Sequence, residues 1–470
     1  MARRRPRAHA LAPVALSLAL GLWGVRREGS LWRDEAVTYD MARRGLPQLG
    51  RTLERVDAVH GLYYLLMHGL FRVFAGADPL LVLRLPSVLA VAAAAGTLAL
   101  LGHRLAGPRA GLLSGVVFAL LPPVQRYAQE GRSYALVCAL VVWASYLLVR
   151  AVESRTRRAW VAYAAVLLAG CLLHEFAVLV LAAHAVAVPR AARRAWARAA
   201  LAVAVGVAAP AAFSVGQSEQ VAWIGGIGAG ALVGFAGVTA LGIACAALLP
   251  RGRSAGRVGL VPLALPLFVL PGLLLLLVSL VKPLYVDRYV LYGQAGTALL
   301  AGAALDRLAR AGGLIRAGAL LAAGAAVAAL LPVTLHLRTP QSRVDDVTAV
   351  AAAVRAAAEG ADGVLYLPAR RRVWSLVDPD SVRGPRDLAL DRGPADSGTL
   401  YGTEVAPSVV RSRVLAARRI VVLRDPAGQP VDATPQEAAK RRLLAEHFEE
   451  CGTRAVLGAR VSVYARPGRC

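Results

Sequence analysis

The stretch VGLVPLALPLFVLPGLLLLLVSLV, residues 258–281, contains 24 residues and none of them is charged. A helix needs about 20 apolar residues to cross the hydrocarbon core of a bilayer, so this stretch predicts a transmembrane helix. Hydrophobic residues make up 57% of the chain and its mean hydropathy is +0.54, which argues against a soluble protein. Ten further apolar segments are long enough, or nearly so, to span: 9–25, 82–102, 110–124, 134–149, 160–173, 175–189, 199–215, 223–249, 289–305 and 314–335.

These segments predict a mainly α fold, a polytopic transmembrane bundle of about eleven helices. The formal net charge of +25 would indicate nucleic-acid binding in a soluble protein. Here the arginines lie between apolar segments, so we interpret most of them as topology signals and expect no nucleic-acid partner. Basic clusters recur at every second loop, which predicts a multi-pass cytoplasmic-membrane protein with a cytoplasmic N-terminus. They lie within 3–7, 104–109, 150–158, 190–198, 251–257 and 307–316.

One loop departs from this alternation. Residues 26–81 are basic, although the pattern places them outside. The segment GLYYLLMHGLFRVFAG, 61–76, could itself span, but every later basic cluster would then lie outside. We therefore predict an interfacial helix on the outer face. The predicted transmembrane domain is 1–335, and its first outer loop is 26–81.

Residues 336–470 are polar and predict a small extracytoplasmic α/β domain. We expect helices at 346–359 and 434–450, the second with a capping box formed by Thr434 and Glu437. We expect strands at 363–367, 419–423 and 456–465. Cys451 and Cys470 could form a disulfide if this domain is extracytoplasmic, and no Cys/His cluster has metal-site spacing.

The polar clusters that could carry chemistry fall on the predicted outer face. Asp34 and Glu35 in LWRDEAVTYD, 31–40, could accept a proton from an attacking hydroxyl group. Cationic and aromatic side chains that suit a phosphate follow in RYAQEGRSYAL, 126–136, and KPLYVDRYVLYG, 282–293. These phosphate-binding candidates are Arg132, Lys282, Arg288 and Tyr289. The candidates for the substrate pocket are Asp57, His60, Tyr63, Glu130, His174, Glu175 and Tyr285.

Each cluster also has a plainer interpretation. The acidic pair could be ordinary solvated loop residues, and Tyr63 could be an aromatic anchor in the headgroup zone. Glu130 and Arg132 could form a salt bridge with one another. All of these clusters fall on the same predicted face of the membrane, which favours a functional interpretation. Acids and phosphate-binding cations on one face could share a cavity suited to sugar transfer from a lipid phosphate.

The motifs WRDEA, HGLYYLLMH, RLPSVLA (84–90), QEGRSYAL and DRYVLYG occur in this order. Together they resemble those of the GT-C fold glycosyltransferases. The most similar group comprises the protein-mannosyltransferase-like enzymes, which include the aminoarabinose and Rgt-type transferases. The resemblance covers about residues 10–310. This chain has HGLYY at 60–64 where the family usually has HPPLYY.

The resemblance implies a polyprenyl-monophosphate sugar donor, carrying mannose or a related hexose or pentose, and an inverting reaction at the outer face. Asp34 matches the family's catalytic carboxylate, with Glu35 beside it, while Arg132 and Arg288 match its phosphate-side residues. The acceptor is a glycan, a lipid or a protein. No cofactor is inferred; metal dependence varies within the family.

Two other functions were weighed. A transporter or flippase of lipid-linked sugars would place charges near mid-membrane and often contain paired half-repeats, and this chain has neither pattern. A structural membrane protein with an outer binding domain would leave the clustering of acids and cations unexplained.

We predict that a topology reporter fused after Arg253 is cytoplasmic. The basic residues around it should remain on the cytoplasmic side of the membrane. An alkaline phosphatase fusion at this position should be inactive and a fluorescent-protein fusion active. The opposite pair of results would contradict the predicted topology.

Overall fold

The structure, a computed structural model, describes residues 8–217, 224–250 and 256–470. Within these ranges most of the chain is helical, and two small sheets lie in its C-terminal part. The helices are α1 (Ala8–Leu22), α2 (Arg33–Arg43), α3 (Leu46–Leu53), α4 (Gly61–Val73), α5 (Pro79–Ala106), α6 (Pro108–Leu120), α7 (Pro122–Ala128), α8 (Tyr134–Ser154), α9 (Arg157–Leu173), α10 (Val180–Ala187), α11 (Arg193–Gly216), α12 (Ala229–Ala247), α13 (Leu260–Ser279), α14 (Gln294–Arg310), α15 (Gly313–His336), α16 (Val347–Ala357), α17 (Pro394–Ser397), α18 (Pro407–Ala416) and α19 (Pro435–His447). The strands are β1 (Gly363–Leu367), β2 (Arg386–Asp387), β3 (Leu390–Arg392), β4 (Thr403–Glu404), β5 (Arg419–Arg424), β6 (Glu449–Val456) and β7 (Ala459–Ala465).

The predicted fold class is confirmed, because each predicted spanning segment falls on a helix or on a 3-10 turn that leads into one. Segment 258–281 forms α13, which stays helical through Pro266 and Pro271. Among the described residues, seven helices are long and apolar enough to cross a membrane; they correspond to α1, α5, α8, α11, α12, α13 and α15. The other four predicted spans form helices of at most 17 residues: α6, α9, α10 and α14.

The chain divides into two compact units. The first unit contains the chain up to residue 25 together with 58–63 and 84–337. The second contains 26–57, 64–83 and 338–470. The polar C-terminal chain therefore belongs to the same unit as much of the predicted first outer loop. The predicted domains 1–335 and 336–470, and their sides of the membrane, stay predictions.

Helices of the first unit pack closely through small residues. A Cβ atom on Gly302 of α14 would lie 2.4 Å from the Ser114 backbone nitrogen of α6. Where α6 meets α5, a Cβ atom on Gly111 would lie 2.3 Å from the Ala99 carbonyl oxygen. Both distances exclude a side chain, so the backbones approach one another directly. Close packing of this kind stabilises contacts between transmembrane helices, because inside a bilayer the hydrophobic effect does not drive helices together.

The second unit contains a five-stranded sheet in the order β2-β1-β5-β7-β6. Strands β2, β1 and β5 run parallel, and β7 runs antiparallel to both β5 and β6. Helices α18 and α19 cover one face with an apolar core that includes Val410, Leu443 and Ile420. Helix α16 packs against β5, β6 and β7.

The predicted elements of this part are largely confirmed. Helix α16 begins after Asp346, whose Oδ1 accepts from the Ala349 backbone N–H at 3.0 Å. Strands β1 and β5 lie where 363–367 and 419–423 were predicted, and β7 lies within 456–465. Cys451 and Cys470 form a disulfide.

Two details of the α19 region were wrong. Thr434 makes no side-chain capping bond. Glu437 does not complete a capping box either, because its Oε1 accepts from the Ala369 backbone N–H at 2.8 Å and from the buried Lys440 ammonium at 2.6 Å. The predicted helix also ended too late, since Glu449 already begins β6. This edge strand is mostly exposed and charged, so it lacks the apolar alternation that marks a strand.

Candidate active site

The acidic pair lies in the first turn of α2. The two residues before this helix, Leu31 and Trp32, are buried and fix where the helix begins. Helix N-termini carry a partial positive charge, which stabilises carboxylates in the first turn. Both carboxylates therefore lie at the favourable end of the helix.

The two carboxylates have different surroundings. Glu35 is fully buried, and its Oε2 lies 2.6 Å from Nη2 of Arg27, whose side chain is fully buried as well. Arg27 and its neighbour Glu28 have φ angles of 44° and 58°, a left-handed conformation that is unfavourable for residues other than glycine. Backbone strain of this kind tends to occur at functional sites. Asp34 is only half-buried, so its carboxylate is the more accessible of the pair.

Asp34 and Asp57 both act on Tyr401, a further polar residue of the second unit. Burial raises the pKa of Tyr401, and the charges of Asp57 and Asp34 raise it further, while Arg370 and Arg33 oppose the shift. These charges must therefore lie near the Tyr401 hydroxyl group. Asp57 accepts a hydrogen bond from the Tyr64 hydroxyl and adopts a left-handed φ of 62°. The predicted residues Asp34 and Asp57 thus share an electrostatic environment.

In the first unit, four rings form a cluster that we call the ring cluster: His60, Tyr134, His174 and Tyr289. The His174 centroid lies 4.7 Å from that of Tyr289 and 5.6 Å from those of both Tyr134 and His60. His60 and His174 are buried, and Tyr134 opens α8. Three predicted residues, His60, His174 and Tyr289, are thereby brought together.

Two arginines act on this cluster. The Nε of Arg288 donates to the Tyr134 hydroxyl at 3.2 Å, and its guanidinium lies 5.5 Å from the Tyr134 centroid and 5.7 Å from that of Tyr289. Burial lowers the pKa of His60 and of His174 well below the usual value, and the positive charges of Arg132 and Arg288 lower both further. The histidines are therefore neutral at physiological pH. The positive charge beside the ring cluster comes from the two arginines, as the predicted phosphate site requires.

The remaining predicted residues are placed differently. Lys282 is exposed, and no side-chain hydrogen bond or ion pair joins it to another described residue. Glu175 forms a hydrogen bond with Ser214. Tyr285 is half-buried near Asp287.

Glu130 and Tyr63 are both buried. The Glu130 backbone carbonyl accepts from the Ser87 hydroxyl at 2.6 Å, which ties the RLPSVLA motif to the QEGRSYAL motif. Among the described residues no group of three or more His, Cys, Asp or Glu side chains could hold a metal ion, so no metal ligands are assigned.

Several residues of these two sites were missed. Tyr134 contacts His60, His174, Tyr289 and Arg288, and its place in QEGRSYAL, two residues after Arg132, was the available signal. Tyr127, which donates to Asp287 at 3.1 Å, stands in the same loop. Tyr401 had no such signal, because it lies more than 300 residues from Asp34.

Comparisons with known proteins show a family model and two solved structures that this chain resembles. Residues 61–216 match the model of the dolichyl-phosphate-mannose-protein mannosyltransferase family, a range that includes Arg132, Tyr134 and His174. The structure of ArnT from Cupriavidus metallidurans in the apo state superposes with a TM-score of 0.57. That match covers 96% of this chain and 97% of the other, at 14% sequence identity. The chain has the GT-C fold of the mannosyltransferase and ArnT type.

A second ArnT structure, bound to undecaprenyl phosphate, has the same GT-C fold. It matches with a TM-score of 0.56 and 13% identity, over 96% of this chain and 97% of the other. No curated protein sequence matches this chain. The predicted resemblance to the GT-C fold glycosyltransferases is confirmed, in one family model over residues 61–216 and in the fold of the whole chain.

Replacing Glu35 by glutamine should lower stability. The substitution removes the charged acceptor of a buried ion pair, a loss that costs about 3 kcal/mol of unfolding free energy. Thermal unfolding followed by tryptophan fluorescence in detergent measures this. Glu28, which is exposed and follows Arg27 in the sequence, supplies the control, because Glu28→Gln should leave the Tm nearly unchanged. Equal Tm values for Glu35→Gln and the wild type would contradict a stabilising role.

Proposed function

We propose that this protein transfers mannose or a related sugar from a polyprenyl-monophosphate donor to an acceptor at the outer face of the cytoplasmic membrane. Asp34 acts as the base and the reaction inverts the anomeric centre. The observation that carries the proposal is the pair Arg132 and Arg288 beside the ring cluster, where the histidines are neutral. Such a site offers positive charge and hydrogen-bond donors to an anionic group.

The donor class rests on this charge and on the fold. Guanidinium groups bind phosphate oxygens with two parallel hydrogen bonds, and Arg288 is oriented by Tyr134. One ArnT structure of the same fold is bound to undecaprenyl phosphate, which supports a polyprenyl phosphate as the leaving group. The aromatic rings nearby suit the zone where a lipid headgroup meets the hydrocarbon core.

The choice of Asp34 rests on the contrast with Glu35. Glu35 is buried in an ion pair with Arg27 and serves to hold the turn. Asp34 is half-buried at the start of α2, so part of its side chain can be reached from outside the fold. A positioned carboxylate that accepts the proton of an attacking hydroxyl is general base catalysis.

The proposed step is a single displacement. The acceptor oxygen bonds to the anomeric carbon while its proton moves to the Asp34 carboxylate. The bond from the anomeric carbon to the phosphate oxygen breaks on the opposite face, and its electron pair leaves with the polyprenyl phosphate. Arg132 and Arg288 stabilise the charge that develops on that phosphate.

The Cys451–Cys470 disulfide supports an extracytoplasmic location for the C-terminal part. Disulfides persist in oxidising compartments and are rare in the reducing cytosol. With this part outside, the acceptor would be a glycan, a lipid or a protein of the cell envelope.

Asp34→Asn should lower kcat for sugar transfer by at least about 100-fold, because the amide cannot accept the proton. Membrane insertion and the Tm should stay near the wild-type values. Transfer is measured as release of undecaprenyl phosphate from undecaprenyl-phosphate mannose in membranes that contain the acceptor. Glu54→Gln, at an exposed carboxylate of the same loop, should leave kcat unchanged. Normal turnover by Asp34→Asn would rule out Asp34 as the base.

Arg288→Ala should raise the donor KM about tenfold and change the acceptor KM much less, because the lost guanidinium faces the phosphate. The matched control is Lys282→Ala in the same loop, where the side chain is exposed and the donor KM should change less than about twofold. A donor KM that is unchanged in Arg288→Ala, or raised equally by both substitutions, would count against this phosphate site.

A further inference from the structure

The C-terminal part of the second unit holds the chain that leads into α2. The Val347 backbone N–H donates to the Leu31 carbonyl at 2.7 Å. The Leu31 N–H in turn donates to Oγ1 of Thr348 at 3.2 Å, and that hydroxyl donates to the Gly29 carbonyl at 3.0 Å. Both backbone polar groups of Leu31, three residues before Asp34, are thus bound by the start of α16.

Asp345 continues this contact to the helix itself. Its Oδ1 accepts from the Arg33 backbone N–H at 2.8 Å, and its Oδ2 lies 3.4 Å from Nε of the same residue. Arg33 is the first residue of α2, and the residue before it, Trp32, offers no side-chain acceptor. The first N–H groups of a helix need an outside acceptor. An N-cap side chain ordinarily accepts a hydrogen bond from one of these N–H groups, and in α2 Asp345 supplies such an acceptor from 312 residues away.

The position of Asp345 is set by its own neighbours. The next residue, Asp346, caps α16 and donates its backbone N–H to the Leu457 carbonyl at 3.1 Å. Gly458, in the turn between β6 and β7, has a φ of 85°, and a Cβ atom there would lie 2.3 Å from Cβ of Asp345. Asp345 is 3% exposed. The carboxylate is consequently held by the β6–β7 turn on one side and α16 on the other.

We infer that Asp345 is a positioning residue for the reaction, which fixes the first turn of α2 and thereby the carboxylate of Asp34. This inference rests on the proposed function only in giving Asp34 the role of base. It assigns the C-terminal part a role in the chemistry, because a hydrogen bond from that part orients the reacting group. A misplacement of a catalytic group by about 1 Å can cost 100-fold in rate.

The charge of Asp345 provides a second readout. Burial raises its pKa to about 6; Arg33 opposes the shift, Asp34 adds to it and Arg371 opposes it. The carboxyl group is therefore neutral below about pH 6 and charged above it. When charged, it is the stronger acceptor for the Arg33 N–H and holds the first turn of α2 more firmly. The wild-type kcat profile should therefore contain a step near pH 6, with the higher kcat above it.

The test compares Asp345→Ala and Asp345→Asn in the full-length protein, with undecaprenyl-phosphate mannose as the donor. Alanine removes the acceptor of the Arg33 N–H, so kcat should fall about tenfold or more while the donor KM stays within about twofold. Asparagine keeps an acceptor oxygen, so most of kcat should return at neutral pH. Because the amide does not titrate, the step near pH 6 should be absent from its kcat profile.

Asp362→Ala is the matched control. This aspartate accepts from the backbone N–H groups of Arg418 and Arg419 at 2.7 and 2.9 Å, so it makes the same kind of bond at the start of β5 rather than at α2. Its kcat should stay within about twofold of the wild type. The inference is overturned if Asp345→Ala has the wild-type kcat. It is also overturned if the alanine and asparagine variants lose kcat equally with an unchanged pH profile.

Hydrogen exchange separates a failure of the inference from a failure of the proposed function. If the wild type releases no undecaprenyl phosphate, the proposed function fails and the contact can still be tested. Amides of residues 33–36 should then exchange faster in Asp345→Ala than in the wild type and in Asp362→Ala, because the cap is lost. Unchanged exchange there would overturn the inference by itself.

Discussion

The fully buried ion pair between Arg27 and Glu35 governs the loop on which the proposed chemistry depends. Two charges removed from water are costly unless they pair closely, so the chain between α1 and α2 must bring them within 2.6 Å. Within this segment the backbone of Arg27 and Glu28 adopts the left-handed conformation. With Glu35 committed to this pair, Asp34 is the carboxylate of the two that remains accessible to a substrate.

Burial has the opposite effect on the first unit's polar residues. His60 and His174 lie among tyrosine rings and beside two arginines, so protonating them would bury further positive charge near Arg132 and Arg288. They stay neutral and contribute shape and polarity. A phosphate would be neutralised by guanidinium groups, which remain charged at any physiological pH. The division of roles between histidine and arginine thus follows from the cost of burying charge.

The C-terminal part contributes more than a separate folded domain. It supplies Asp345, the acceptor for the first N–H of α2, and Tyr401, whose pKa the charges of Asp57 and Asp34 help to raise. A helix whose own N-cap residue is tryptophan needs an acceptor from elsewhere. The contact explains why the acidic segment and the C-terminal chain fall in the same compact unit.

The length of the apolar segments was enough to predict the helical bundle. Eleven segments are uncharged or nearly so, and in a bilayer the backbone N–H and C=O groups of such segments can all form hydrogen bonds only within helices. The polar clusters at helix ends also predicted three of the four residues that gather in the ring cluster, His60, His174 and Tyr289, but not Tyr134. Edge strand β6 and the role of Glu437 were not predictable, because an exposed charged strand and a buried Lys440 leave no periodic pattern. The family resemblance favoured Asp34 over Glu35, but only the tertiary structure gave the physical difference between the two and brought Asp345 to α2. Adjacent carboxylates look alike in a sequence, and burial and long-range hydrogen bonds, which distinguish them, exist only once the chain has folded.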